Sequence, residues 1–262
     1  MALGGIIRLG MAACVAAAFG TGAKAADLTV GANVGNVPWE FQDAGGAFVG
    51  FEVDLVRKVA EGLGKTVEFV NIPFNGLFPA VQSGRVNAAI SSITITKTRL
   101  QSLSFSQPYY DSDQSLAVAQ GGPAGLAAMA GKVVGVDTAS TGDQWATARQ
   151  AEYKFVEIKR YEGLAPAMLD LQAGRIDGYV SDIPAVQYYI RDKPVFRVAE
   201  RIPTGETYGV MFAKGAPLAA QFDAEVSRLK GQGYLAELHQ KWFGVAPAAG
   251  SSTVTVLPMP VP

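Results

Sequence analysis

Three short stretches carry polar groups whose types and spacing suit the capture of a small charged molecule. The first is Ser91-Ser92-Ile93-Thr94-Ile95-Thr96-Lys97-Thr98-Arg99, in which an apolar strand ends in two hydroxyls and Arg99 follows where a helix begins. Arginine grips a carboxylate through two parallel hydrogen bonds, although an arginine here also serves as an ordinary surface ion pair. The second is Val180-Ser181-Asp182, whose carboxylate accepts from an ammonium group or caps the helix that starts at Ile183-Pro184. The third, Asp137-Thr138-Ala139-Ser140-Thr141-Gly142-Asp143, joins an apolar run to a helical one. Free N–H groups at a helix start bind anions, and Ser, Thr and Asp are also plain capping residues there.

These loops belong to an alternation of strand-like and helical patterns, which predicts an α/β fold with mostly parallel sheets. Strand character falls at Leu28–Ala32, Thr66–Ile72, Val86–Ile90, Val133–Val136, Phe155–Ile158, Ile176–Val180 and Tyr208–Phe212. Helical patterns fall at Phe51–Leu63, with Gly64 as its stop, and near Gly76–Ser83, Asp143–Glu152, Tyr161–Ala173, Ile183–Arg191, Pro217–Gln232 and Tyr234–Trp242. The segment Gln82–Ser91 (QSGRVNAAIS) is echoed by Gln172–Ser181 (QAGRIDGYVS). Each copy reads helix, glycine stop, buried strand, polar loop. Two copies predict two lobes of like topology, each presenting a loop at the carboxyl end of a strand, where open α/β sheets bind ligands.

Composition narrows the chemistry. With 262 residues the chain is long enough for two lobes of about 100–130 residues each. Apolar residues make up 49% and charged residues 17%, which excludes a disordered chain. A net charge of −1 leaves no basic field for nucleic acid. One Cys and one His make neither a Cys/His zinc site nor an internal disulfide, so neither metal nor cofactor is expected.

Residues 1–25 read as a cleavable export signal: Arg8, an apolar run from Leu9 to Phe19, then Ala23-Lys24-Ala25 as a small-x-small site. Cleavage there removes the only cysteine, Cys14, as suits an oxidising compartment. The alternative makes Met11-Ala12-Ala13-Cys14 a lipoprotein box with Cys14 acylated. Residues 245–262, rich in Pro, Ala, Ser and Thr and free of charge, read as a mobile tail.

From Leu28 to Gly244 the chain resembles the periplasmic polar amino-acid-binding proteins of ABC importers, such as the glutamine-binding and lysine/arginine/ornithine-binding proteins. The resemblance rests on VPWEF (37–41), GFEVDL (50–55), FNGLFPAVQSGRVNAAISSITITKTR (74–99), SFSQPYY (104–110), GYVSD (178–182), YGVMFAKG (208–215) and KWFG (241–244), in this order. It implies a periplasmic-binding-protein type II fold. Lobe 1 would span 26–112 and 207–244 and lobe 2 113–206, with hinge crossings near Asp111–Ser115 and Gly205–Tyr208. It further implies a monomer in the periplasm that binds a free polar or basic L-amino acid, closes on it and passes it to a membrane permease.

The resemblance also assigns roles. Arg99 would pair with the ligand α-carboxylate, helped by Thr94 and by the helix start at Thr141 and Gly142. Asp182 would take the α-ammonium, with Ser92 adding an oxygen and Ser91 in the same loop. Phe74 would lie against the aliphatic stem, unless it is simply core. The chain departs from the family pattern in the first loop. Asn33 stands where the family often has an acid and Asn36 where it often has an aromatic. Asn33 and Asn36 suit an amide such as glutamine, whereas Asp137, if turned inward, favours arginine or lysine. Two other functions stay open: a cyclohexadienyl or arogenate dehydratase-like enzyme on the same fold, and a sensor subunit presenting amino acids to a receptor.

Overall fold

The computed structural model describes Met1 and residues 26–262. The expected export signal, and Cys14 with it, lies outside the described residues apart from Met1.

The first part of the chain runs β1 (Leu28–Ala32), the short pair β2 (Phe41–Gln42) and β3 (Phe48–Val49), α1 (Phe51–Gly62), β4 (Val67–Asn71), α2 (Phe74–Gln82), β5 (Ala88–Ile90), α3 (Lys97–Ser102) and β6 (Leu103–Phe105). Strand β7 (Tyr110–Ala119) leads into the second part. That part holds β8 (Val133–Asp137), α4 (Thr141–Ala148), α5 (Gln150–Tyr153), β9 (Glu157–Tyr161), α6 (Leu164–Gln172), β10 (Gly178–Asp182) and α7 (Ile183–Ile190). Strand β11 (Phe196–Tyr208) then returns to β12 (Met211–Ala213), α8 (Pro217–Gly231) and α9 (Tyr234–Phe243).

Two five-stranded sheets result, in the orders β4-β1-β5-β12-β6 and β9-β8-β10-β7-β11. The orders match strand for strand, with β5 and β10, the two echoed strands, at the centre of each. Each sheet is parallel across its first three strands and antiparallel across the last two. The sheets are therefore less uniformly parallel than the alternating pattern predicts. The antiparallel strands are those beside or within the crossing between lobes, where the chain enters from the opposite direction. Strands β7 and β11 pair with each other as the two-strand hinge. At its base Tyr110 and Tyr208 stack at 5.8 Å, and Trp39 sits edge-on to both.

Helix α1 buries Phe51, Leu55 and Val59 at four-residue steps. It stops where Gly64 adopts a φ of +66°, with the Gly64 N–H on the Glu61 carbonyl and the Lys65 N–H on that of Ala60. The expected single strand Tyr208–Phe212 is broken at Gly209. A side chain there would meet Ile95 Cδ1 at 2.9 Å and the Ser106 carbonyl at 3.1 Å. The expected helix Asp143–Glu152 breaks at Arg149, a non-helical residue that no glycine or proline announces.

The tail corrects the sequence reading. Ser252 and Thr253 are buried, and the Ser252 N–H bonds Asp111 Oδ2 at 2.9 Å. The Leu257 N–H bonds Gln107 Oε1 at 3.0 Å, and the Lys230 ammonium bonds the Thr255 carbonyl at 2.9 Å. Met259 packs on the lobe 1 core. An uncharged Pro/Ala/Ser/Thr segment has the composition of a linker. What fixes it here are buried polar partners elsewhere in the chain, chiefly Lys230 and Gln107.

Candidate functional site

A cavity opens between the two sheets. Asn33, Asn36, Phe74, Ser91, Ser92, Thr94 and Arg99 line it from one lobe, and Asp137, Thr141 and Asp182 from the other. Gly142 is the exception among the expected site residues. It does not line the cavity, and a Cβ there would sit 2.9 Å from Gln114 Oε1 and 3.0 Å from the Val180 carbonyl, behind the wall.

Arg99 is buried in the first turn of α3, where its backbone N–H donates to the capping Thr96 hydroxyl at 3.1 Å. Its guanidinium donates to the Thr94 carbonyl at 2.7 Å and, across the cleft, to the Ala139 carbonyl at 3.4 Å. It lies over the rings of Phe78 and Phe74 at 4.9 and 5.7 Å, so Phe74 is a cavity wall as well as core. Burial lowers its pKa to about 10, opposed by the charges of Asp182 and Glu206. Its hydrogen-bond partners are main-chain carbonyls, which leaves the charge of the guanidinium for a carboxylate.

Asp182 begins α7 but makes no side-chain cap, so the capping role is not the one it plays. Its carboxylate instead bonds the Gln114 amide, and the Tyr208 hydroxyl lies 2.5 Å from Oδ2. Burial, and then the nearby Glu206, raises its pKa to about 7. Asp137, at the carboxyl end of β8, accepts from the Tyr179 hydroxyl at 2.7 Å on Oδ2, while Oδ1 is buried and unpaired. Burial lifts its pKa to about 6, against the hydrogen bond from Tyr179 and the pull of the Gly163 backbone N–H.

The loop carrying Ser91 and Ser92 is held from beneath by two wholly buried acids. The Ser91 hydroxyl donates to Glu40 Oε1 at 2.8 Å, and the Ser92 N–H donates to Glu52 at 2.9 and 3.1 Å. Burial raises both pKa values, Glu40 the more because Glu52 stands beside it. Ser92 has a φ of +43°, and its hydroxyl receives the Asn36 amide at 3.1 Å. Asn36 therefore braces the loop as well as lining the cavity.

Several groups at the site escape the sequence reading. Tyr161 and Glu162 line the cavity at the end of β9, next to Asp137. Gln114 and Glu206 come from the hinge strands and sit against Thr94, Thr141 and Asp182. Their signal in the sequence is only their place in the crossings. Among the described lining residues Asp137, Glu162 and Asp182 are acids and Arg99 is the single Lys or Arg, so the cavity has an acidic excess. The arrangement offers one cationic grip for a carboxylate, acceptors for an ammonium, and a second buried acid, Asp137, with an unfilled oxygen.

A family model for the bacterial extracellular solute-binding proteins, family 3, matches residues 28–245. The L-arginine-binding protein of Pseudomonas aeruginosa is 29% identical over 229 residues, spanning 82% of this chain and 87% of its own. Among solved structures, the arginine-, lysine-, histidine-binding protein of the thermophilic bacterium Geobacillus stearothermophilus is 34% identical with a TM-score of 0.78, covering 84% of this chain and 96% of that one. An ancestral arginine-binding protein bound to glutamine is 32% identical with a TM-score of 0.77, covering 83% and 98%.

Proposed function

This chain belongs to the bacterial extracellular solute-binding proteins of family 3, and from that premise we propose that it captures a basic L-amino acid, arginine or lysine, for an ABC importer. The observation that carries the choice is Asp137: a buried carboxylate lining the cavity, with one oxygen satisfied and the other without a partner. Such an oxygen is costly to bury unless a cation or donor meets it. A guanidinium or ammonium on the ligand side chain fills that role, and the acidic excess of the lining accepts a ligand of net charge +1. The relatives bearing on this are named for arginine, lysine and histidine, although one related structure holds glutamine.

In this reading Arg99 takes the α-carboxylate and Asp182 the α-ammonium. They stand on opposite lobes, so only the closed form satisfies both charges, which gives ligand the differential affinity that closure about β7 and β11 requires. Closed protein then docks on a membrane permease outside the cytoplasm. We read the chain as a monomeric carrier and not as an enzyme, in line with relatives named as binding proteins. Turnover of a cyclohexadienyl substrate would overturn that.

The test is a melting-temperature screen of the protein, stripped of ligand by unfolding and refolding, against the twenty L-amino acids. A ligand at about 100 times its dissociation constant adds roughly 2.7 kcal/mol, a shift of several degrees. Arginine and lysine are expected to give it. A shift confined to glutamine or asparagine would move recognition to Asn33 and Asn36, and no shift at all would refute the Arg99–Asp182 assignment.

A further inference from the structure

Glu206 sits on the hinge strand β11 just beyond an irregularity in its pairing with β7 between Ile202 and Glu206. Asp113 fixes that irregularity: its Oδ1 accepts the N–H groups of Thr204 and Gly205 at 2.8 and 2.7 Å, and its Oδ2 accepts Arg201 Nε at 2.7 Å. A local break of this kind re-aims the side chain that follows it. The Glu206 carboxylate bonds groups from both lobes. Its Oε2 accepts the Thr94 hydroxyl at 2.8 Å from one lobe and the Thr141 hydroxyl at 2.9 Å from the other. The Gln114 amide donates to the same carboxylate at 3.1 and 3.2 Å. The two threonine oxygens are thereby drawn to 3.4 Å of each other across the cleft.

Thr94 and Thr141 are the hydroxyls that the proposed site offers to a ligand α-carboxylate, and here a side-chain carboxylate of the protein holds them. We infer that Glu206 is an internal stand-in for the ligand carboxylate, latching the lobes together without ligand and competing with the amino acid for Thr94 and Thr141. The competition rests on the proposed ligand site; closure without ligand does not. The consequence is kinetic as well as energetic. A protein that is mostly latched admits ligand only through its unlatched fraction, so apparent association is slowed by that fraction.

The test compares the wild type with Glu206→Ala and Glu206→Met. Methionine keeps much of the length and volume but offers the threonine hydroxyls and the Gln114 amide no carboxylate oxygen, so both variants should unlatch. Small-angle X-ray scattering of ligand-free protein is expected to give a larger radius of gyration for both variants than for the wild type. Stopped-flow fluorescence with L-arginine is expected to show association faster by on the order of tenfold. Variants that are folded by circular dichroism yet as compact as the wild type would overturn the latch. Expanded variants that associate no faster would overturn the competition. Expanded variants with no arginine binding in any protein would support the latch and refute the arginine reading instead. If Glu206→Ala does not fold, Glu206→Met carries the same two readouts.

Discussion

Replacing Asp137 with asparagine should have opposite effects on the free and the loaded protein. The carboxylate is held out of water, with the Tyr179 hydroxyl on Oδ2, the Gly163 backbone N–H favouring its charged form and no direct hydrogen bond to Oδ1, and burial raises its pKa from 3.8 to about 6. That rise of roughly two units means that keeping Asp137 ionised in the folded, ligand-free chain costs about 3 kcal/mol above pH 6. Because the folded form holds the proton more tightly than the unfolded chain, this group makes stability fall as pH rises between about 4 and 6. The asparagine side chain would keep an oxygen for the Tyr179 hydroxyl and remove the buried charge. Ligand-free Asp137→Asn should therefore melt several degrees higher than the wild type at pH 8, and the difference should close toward pH 4. Arginine binding should weaken in the same variant, since a cation loses its buried partner at a cost of about 3–5 kcal/mol, a factor of roughly 150 to several thousand. Differential scanning calorimetry from pH 4 to 8 and isothermal titration calorimetry with arginine measure both halves. A variant that binds arginine within threefold of the wild type would refute the placement of the cation. A variant no more stable at pH 8 would refute the buried ionised carboxylate.

Arg99→Ala should weaken any amino-acid ligand by about 3–5 kcal/mol, because the α-carboxylate is left buried without its cation, and titration calorimetry reads the loss directly. Asp182, at a pKa of about 7, must lose its proton to receive an ammonium. Apparent affinity should then fall by up to about tenfold per pH unit below 7, with proton release on binding visible as a dependence on buffer ionisation enthalpy. A flat affinity between pH 5 and 7 would count against that role. Truncating the chain after Ala246 strips the Lys230 ammonium of the Thr255 carbonyl and uncovers the core at Met259. The expected cost is about 1–3 kcal/mol, seen as a lower melting temperature, whereas a tail that does not dock would leave it unchanged.

Much of this protein is local enough to be legible in its sequence. The four-residue apolar steps of Phe51–Leu63 fix a helix, and Gly64 fixes its end through a backbone conformation that suits glycine best. The echo of residues 82–91 in 172–181 announces two similar lobes, because each copy encodes a helix, a stop and a strand by short-range rules. Arg99 and Asp182 stand in the loops that follow the two echoed strands, where such sheets present side chains, whereas Asp137 lies in a separate loop after β8 and enters only through the family resemblance. Other features depend on contacts between distant residues. Glu206 and Gln114 become site residues only when paired hinge strands bring them to Thr94 and Thr141. Asp182 turns from a helix cap to the cleft because Gln114 and Tyr208 stand there as donors. The tail docks because Gln107 and Lys230 are buried with hydrogen bonds to make, although nothing in residues 245–262 says so. Sequence fixes what a segment can do by itself, whereas burial, which makes every unpaired polar group costly, decides which partner it takes.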